Sequence, residues 1–178
     1  AGATGDDGGS YETTSRGGVV KPGDVILVAG ATGGVGQLVA KALLDRGFKV
    51  KALSRDKQKS QDVLGIAPSL EHIEGDIAKK ETISSCMSGV SAVCCCAGTT
   101  AFPTLRWNGD NNPENNCYVG TKNLIELALE APSDGEGESC GIHRFVFVSS
   151  AGVKRHSTPP YSIMNAFGVL TFKEKAED

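Results

Sequence analysis

A doubly wound α/β fold built on a parallel sheet is what this sequence predicts, and three observations carry it. Apolar, β-branched runs alternate with stretches of helical period; the first such run breaks into glycines spaced G-x-x-G-x-x-G; and a helical stretch follows those glycines directly. Alternation of this kind joins parallel strands through right-handed crossovers, which lay helices on both faces of the sheet. At 178 residues the chain is long enough for one domain with a real core, and two are not expected.

The elements follow in order. Residues 1–23 are rich in Gly, Ser, Thr and Asp, with only Tyr11 and the pair Val19, Val20 as sizeable apolar groups, and read as a disordered leader to a domain spanning 24–178. Lys21-Pro22-Gly23-Asp24 is a turn that launches a strand over 25–29. Beyond the glycines, Val35, Leu38, Val39, Ala42 and Leu43 make one apolar helical stripe that stops at Arg46, where Gly47 suits a left-handed position. Residues 48–53 alternate as a second strand, 56–64 read as a helix, and 70–74 as a third strand. A helix over 79–87, a strand over 91–96, a long helix over 113–130 and a strand over 143–149 come next. The long helix turns Leu124, Leu127, Ala128 and Ala131 inward, and a final helix begins near Met164. At least five strands result.

Two segments interrupt the alternation. Residues 98–112, with Phe102, Pro103 and Trp107, form a loop after the fourth strand, at the sheet end where ligands bind in such folds. Residues 133–141 are acidic and glycine-rich, and read as an exposed insertion.

Composition excludes several classes of function. The formal charge is −3 and no dense Lys/Arg cluster is present, which disfavours nucleic acid as a partner. No apolar run approaches the ~20 residues of a spanning helix. Of six cysteines, Cys94, Cys95 and Cys96 are adjacent on a strand, and Cys86, Cys117 and Cys140 are scattered, neither a disulfide framework nor a zinc spacing. They read as small apolar residues. His72, His143 and His156 share no metal-ligand spacing and read as surface or strand residues. The chain starts at Ala1 without Met and stops inside a helical stretch, so a fragment of a longer protein is expected.

The glycines carry the chemistry. One of Gly30, Gly33 and Gly36 is needed for the sharp exit from the strand, one for phosphate to approach the backbone, and one for the helix to press on the strand, with Thr32, Gly34 and Val35 completing the turn. Thr32 stands where G-x-G-x-x-G would place its second glycine, and the triphosphatase pattern G-x-x-x-x-G-K-[ST] is absent. At the first strand–helix junction of an alternating chain, the pattern predicts dinucleotide binding.

The second strand selects the dinucleotide. An NAD site places a carboxylate at that strand's end for the ribose 2′-hydroxyl, whereas a 2′-phosphate needs a cation. Here Ser54 and Arg55 end the strand with Lys57 close by, which predicts NADP. The alternative is a solvated Arg55 with Asp56 taking the hydroxyl. Asp76 and Ile77 follow the third strand, where a side chain meets the adenine amino group, and Ala97 and Gly98 follow the fourth, where small residues admit the nicotinamide-side ribose. Packing or capping is the competing reading of both pairs. Lys122, near the start of the long helix, reads as a solvated lysine.

Gly30-x-x-Gly33-x-x-Gly36, Gly75-Asp76-Ile77, Ala97-Gly98 and Val148-Ser149-Ser150-Ala151-Gly152 together resemble the atypical short-chain dehydrogenase/reductase family. Within it the chain is similar to NmrA-like NADP-binding proteins of plant and algal plastids, most specifically in GTTAFPTLRWNGDNNPENN and PPYSIMNAFGVLTFKEKAED. The resemblance covers about residues 23–178 and implies a Rossmann fold, NADP as cofactor and a chloroplast setting. Active members of the superfamily use a Ser, with a Tyr and a Lys spaced Y-x-x-x-K; the Tyr exchanges a proton with the substrate oxygen. Ser150, with Ser149 beside it, matches the Ser, and Lys173 the Lys, which in the family also holds the ribose. Val169 stands in the place of the Tyr, and Tyr161 lies outside the register, a loop aromatic beside Pro159 and Pro160. In the family a sixth strand and a small lobe follow. Two functions are open: an NADPH-dependent carbonyl reductase using Ser150 and Lys173, or a non-catalytic redox sensor or assembly factor whose bound NADP(H) sets its affinity for a protein partner.

Overall fold

The computed structural model describes residues 19–99, 110–131 and 142–178. Five parallel strands, β1 Val25–Ala29, β2 Lys49–Ser54, β3 Leu70–Glu74, β4 Ala92–Cys95 and β5 Arg144–Phe147, lie in the order β3-β2-β1-β4-β5. β1 is central: Val28 is in register with Ala52 on one side and Cys94 on the other. The chain runs outward from β1 through β2 to β3, then crosses back to β4 and continues to β5. The strand order therefore reverses at β1, and the crevice beyond the β1 and β4 ends is a topological switch point.

Helices α1 Gly34–Asp45 and α2 Lys57–Leu64 are followed by α3 Lys80–Ile83 with a 3₁₀ turn Ser84–Met87. A π-helical turn Glu114–Val119 runs into α4 Gly120–Glu130; a 3₁₀ turn Val153–Arg155 and short α5 Tyr161–Met164 precede α6 Val169–Glu177. Two cores sit on opposite faces of the sheet. Leu27, Leu53, Val93 and Cys95 pack with Ile83 and Leu124, whereas Val28, Val50 and Ala52 pack with Ala40 of α1. Pleating splits the adjacent cysteines accordingly: Cys95 is fully buried in the first core, and Cys94 and Cys96 pack against the second.

Several expectations need correction. The buried face of α1 is Gly36 and Ala40, with Val39, Leu43 and Leu44 packing beside them, whereas Val35 and Leu38 are 50% and 71% exposed. Small residues face the sheet because the helix approaches it closely, so the larger apolar groups mark a stripe rotated from the true one. The long helix does not begin as an α-helix; its first turn is the wider π form. The final helix starts at Val169, not near Met164, because Gly168 takes a left-handed conformation, φ +79°, and separates it from α5. β4 and β5 are shorter than read, and β2 ends one residue later. Residues 1–18, Phe102, Pro103, Trp107, Cys140 and the insertion 133–141 lie outside the described residues.

The cysteines of β4 and the turn before it behave as apolar groups. Burial pushes the Cys86 thiol up from 9.0 to about 11, partly offset by Lys51. A thiol raised on folding favours the native state while protonated, so its contribution is complete below pH 9 and is lost as pH rises towards 11. Denaturant melts at pH 8 and pH 11 should therefore differ by ~2 kcal/mol more in the wild type than in Cys86→Ala. Equal pH responses would show that the thiol is not held protonated. His72, buried on β3, lies 2.8 Å from Ser60 Oγ through Nδ1 and 2.9 Å from the Gly65 carbonyl through Nε2. The carbonyl can only accept, so Nε2 carries the proton and the Ser60 hydroxyl donates to Nδ1. Its role is to hold α2 on the edge strand.

Candidate dinucleotide-binding site

The site begins where β1 becomes α1. Gly30 has φ +76°, and a Cβ there would stand 3.0 Å from Ala97 Cα, so the ends of β1 and β4 touch only because this residue is glycine. The Gly33 amide donates to the Gly30 carbonyl at 3.0 Å, and Gln37 Nε2 donates to the Thr32 carbonyl at 2.9 Å, which fixes the turn. Gly36 is buried beneath it; a Cβ there would lie 2.9 Å from Ala31 Cα and collide with the Gly30 carbonyl. Gly33 is the N-cap of α1 and supplies no side-chain cap, and the first turn holds no acidic residue. The first-turn amides of Gly34, Val35 and Gly36 thus form a positive helix end with no side-chain carboxylate of its own.

A cleft of about 520 Å³ opens over this turn, within the size range of cofactor sites. Of the residues read from the sequence, Gly30, Thr32, Gly33, Arg55, Asp76, Ile77, Ala97 and Gly98 line it. Gly34 and Val35 stand exposed at its rim on the helix start, and Gly36 lies below.

At the β2 edge, Ser54 Oγ donates to the Asp56 carbonyl at 2.6 Å and accepts from the Asp56 amide at 3.1 Å. Asp56 is the N-cap of α2: its Oδ1 accepts from the Lys59 amide at 2.8 Å. That carboxylate is engaged in capping and does not line the cleft. The cations that do are Arg55 and Lys59. Lys59 takes the place expected for Lys57; two residues further along a helix rotate a side chain by roughly 200°, a difference a spacing rule ignores.

Asp76 serves locally as well. Its amide donates to Thr82 Oγ1 at 2.9 Å, and its Oδ1 accepts from the Ala78 amide at 3.0 Å, so capping and a place in the cleft coexist. Ile77 is 7% exposed and packs on Gly120. At the β4 end, burial pushes the Cys96 thiol up to about 12, with Cys94 and Cys95 adding to the shift. This cleft-lining thiol is therefore protonated and no nucleophile. Thr99 beside it has a buried hydroxyl with no hydrogen-bond partner among the described residues. Opposite lie Asn111 and Asn116; Asn116 Nδ2 donates to Asn111 Oδ1 at 2.8 Å and to the Asn112 carbonyl at 2.9 Å. Thr99, Asn111 and Asn116 were not singled out by sequence reading, and the Asn-rich run before the long helix is the signal that marks two of them.

The residues matched to the catalytic set are placed differently. Lys173 is 5% exposed and does not itself line the cleft; its Nζ donates to the Val148 carbonyl at 2.8 Å, lies 4.9 Å from the Phe147 ring centre and stands against the cleft-lining Gly98. Its other two protons have no oxygen acceptor among the described residues. Ser149 Oγ donates to Glu177 on α6, and the Ser150 carbonyl accepts from the Val153 amide at 3.3 Å; neither serine lines the cleft. Val169 is 5% exposed, closed into the protein. Tyr161 lies on Gly152 with Arg155 5.0 Å from its ring centre, away from the cleft lining. Lys122 is exposed and pairs with Glu126 at 3.8 Å.

This arrangement fits a dinucleotide: an uncapped helix end for an anion, two cations at the β2 edge, and an orphan hydroxyl and a buried ammonium with spare protons near the β4 end. Among the described residues no helix is long and apolar enough to cross a membrane. The NAD(P)H-binding family profile matches residues 30–178. Protein TIC 62, chloroplastic, of Arabidopsis thaliana is 32% identical over 89% of this chain and 25% of its own length. An uncharacterized chloroplastic protein of Arabidopsis thaliana is 32% identical over 85% of this chain and 52% of its own. The chain thus spans between a quarter and about half of these relatives. Among solved structures, a short chain dehydrogenase from Burkholderia cenocepacia in complex with NADP is 25% identical with a TM-score of 0.64, covering 88% of this chain and 63% of that one. The yeast methylglyoxal/isovaleraldehyde reductase Gre2 complexed with NADPH, 18% identical, shares the fold at a TM-score of 0.65 over 85% of this chain and 51% of that one. A parallel Rossmann sheet, a glycine turn at its switch point and these relatives lead to one assignment: the chain belongs to the NAD(P)H-binding family of atypical short-chain dehydrogenase/reductase-like proteins, as a plastid member.

Proposed function

We propose that this domain binds NADP(H) in preference to NAD(H). The observation that carries the reading is the pair Arg55 and Lys59 on the cleft edge, with Asp56, the neighbouring carboxylate, capping α2 and not lining the cleft. A 2′-phosphate gains charge-assisted hydrogen bonds from such a pair. The pyrophosphate then sits over Thr32, Gly33 and the first-turn amides of Gly34, Val35 and Gly36, with Gly30 keeping the turn open. Asp76 and Ile77 flank the adenine, and Ala97 and Gly98 leave room for the nicotinamide-side ribose, whose hydroxyls suit Thr99 Oγ1 and the spare protons of Lys173.

Bound NADPH supplies a hydride. Reducing a carbonyl also requires a proton on the product oxygen, and among the residues matched to the catalytic set only Lys173 carries one near the cofactor site. Val169 has none, and Ser149 and Ser150 lie off the cleft. A nucleotide-responsive binding domain, with Lys173 as a cofactor residue, therefore fits the geometry best. The buried and retained Lys173 favours a second reading, an NADPH-dependent reductase whose proton donor comes from elsewhere.

Titration of the protein with NADPH and NADH should give at least ~30-fold tighter binding of NADPH, and equal affinities would overturn the cofactor assignment. A carbonyl panel with NADPH should show no turnover. Turnover abolished by Lys173→Ala would establish the reductase instead.

A further inference from the structure

The geometry points to the π-helical turn Glu114–Val119 as the element that carries cleft occupancy to the outer helix α6. This rests on the reading that the cleft holds NADP(H).

One side of the turn belongs to the cleft. Asn116 lines it and spends both side-chain protons on Asn111, which also lines it, and on the Asn112 carbonyl. Gly120, the residue that closes the turn, packs on the cleft-lining Ile77. The other side belongs to α6: the Tyr118 ring centre lies 5.8 Å from Lys175 Nζ. α6 in turn returns to the cleft end of β4, where Lys173 stands against Gly98.

The turn is also suited to having two arrangements. Its closing bond runs from the Gly120 amide to the Asn115 carbonyl, five residues back, so it holds more chain per turn than an α-helix. The Asn116 side chain pins this wide form, and Thr121 Oγ1 donates to the Cys117 carbonyl at 2.9 Å. A ligand that hydrogen-bonds to Asn111 or Asn116 competes with the pin. Once released, the turn tightens to the α form, which rotates the residues before Gly120 by roughly 100° and takes Tyr118 away from Lys175. Because both arrangements belong to one element touching both places, the turn couples the cleft to the Lys175 side of α6, in addition to the approach of Lys173 to the cleft end of β4.

Hydrogen exchange read by mass spectrometry tests this on the full chain, with and without saturating NADP⁺. NADP⁺ should change exchange over residues 110–121 and accelerate it at least ~3-fold over 170–177. Tyr118→Leu should bind NADP⁺ at least as tightly as the wild type, because the contact that binding must break is already gone, and should keep the response over 110–121 but lose the response of α6. Lys175→Ala removes the same contact from the exposed side and should do the same, which covers the case in which Tyr118→Leu does not fold. Saturated binding with a silent α6, or an unchanged α6 response in Lys175→Ala, overturns the coupling while the cofactor reading stands. Absence of NADP⁺ binding overturns both.

Discussion

Arg55→Glu should weaken NADPH roughly 100-fold or more while changing NADH by less than about 3-fold. Hydrogen bonds between charged groups contribute ~1.5–3 kcal/mol each, and ~1.4 kcal/mol is one decade in affinity, so losing a guanidinium–phosphate contact alone accounts for about two decades. The introduced carboxylate adds repulsion to a 2′-phosphate but none to a 2′-hydroxyl, which is why the two cofactors separate. Lys59→Ala removes the second cation without reversing charge and should cost NADPH about 10-fold. Fluorescence or calorimetric titration of both cofactors checks this, and equal losses for NADPH and NADH would show that Arg55 does not read the phosphate.

Gly36→Ala should instead damage both cofactors alike and lower stability. Its Cβ has no room against the Gly30 carbonyl and Ala31, so α1 must lift from β1 or the turn must open. Overpacking of this kind costs ~1–3 kcal/mol, which corresponds to a fall in Tm of roughly 5 °C for a domain of this size. It also displaces the first-turn amides, so binding of NADPH and NADH should each fall more than ~10-fold. Gly34→Ala is the control, because a Cβ at Gly34 meets nothing within 4 Å. A Gly36→Ala protein that melts and binds like the wild type would show that close helix–strand contact does not shape the site.

The strands were legible because each is a run of apolar residues bounded by turn residues, and β1 and β3 fall on the residues read from the sequence. The glycine turn was legible because glycine spacing directly reports where backbone meets backbone. Less visible was everything decided by rotation about a helix axis. The buried face of α1 consists of Gly36 and Ala40, which carry little hydrophobic signal, and Lys59 faces the cleft where Lys57 was expected. The π-helical turn left no trace in a 3.6-residue pattern, because one extra residue in a turn shifts the phase of only the few residues before it. Lys173, matched by spacing alone, stands against Gly98, whereas Ser149 and Ser150 serve α6 and the following turn, as side-chain direction after a strand depends on backbone geometry that spacing cannot supply.

The capping role of Asp56 bears on cofactor choice. This carboxylate sits at the position from which an acidic residue could favour the unphosphorylated cofactor, but it is occupied by the amide of Lys59, the residue that faces the cleft one turn later. Removing the acid would cost the start of the helix that presents the lysine about 1 kcal/mol. If the cleft selects NADP(H) as proposed, the start of this helix and the choice of cofactor are tied to the same two residues, Asp56 and Lys59.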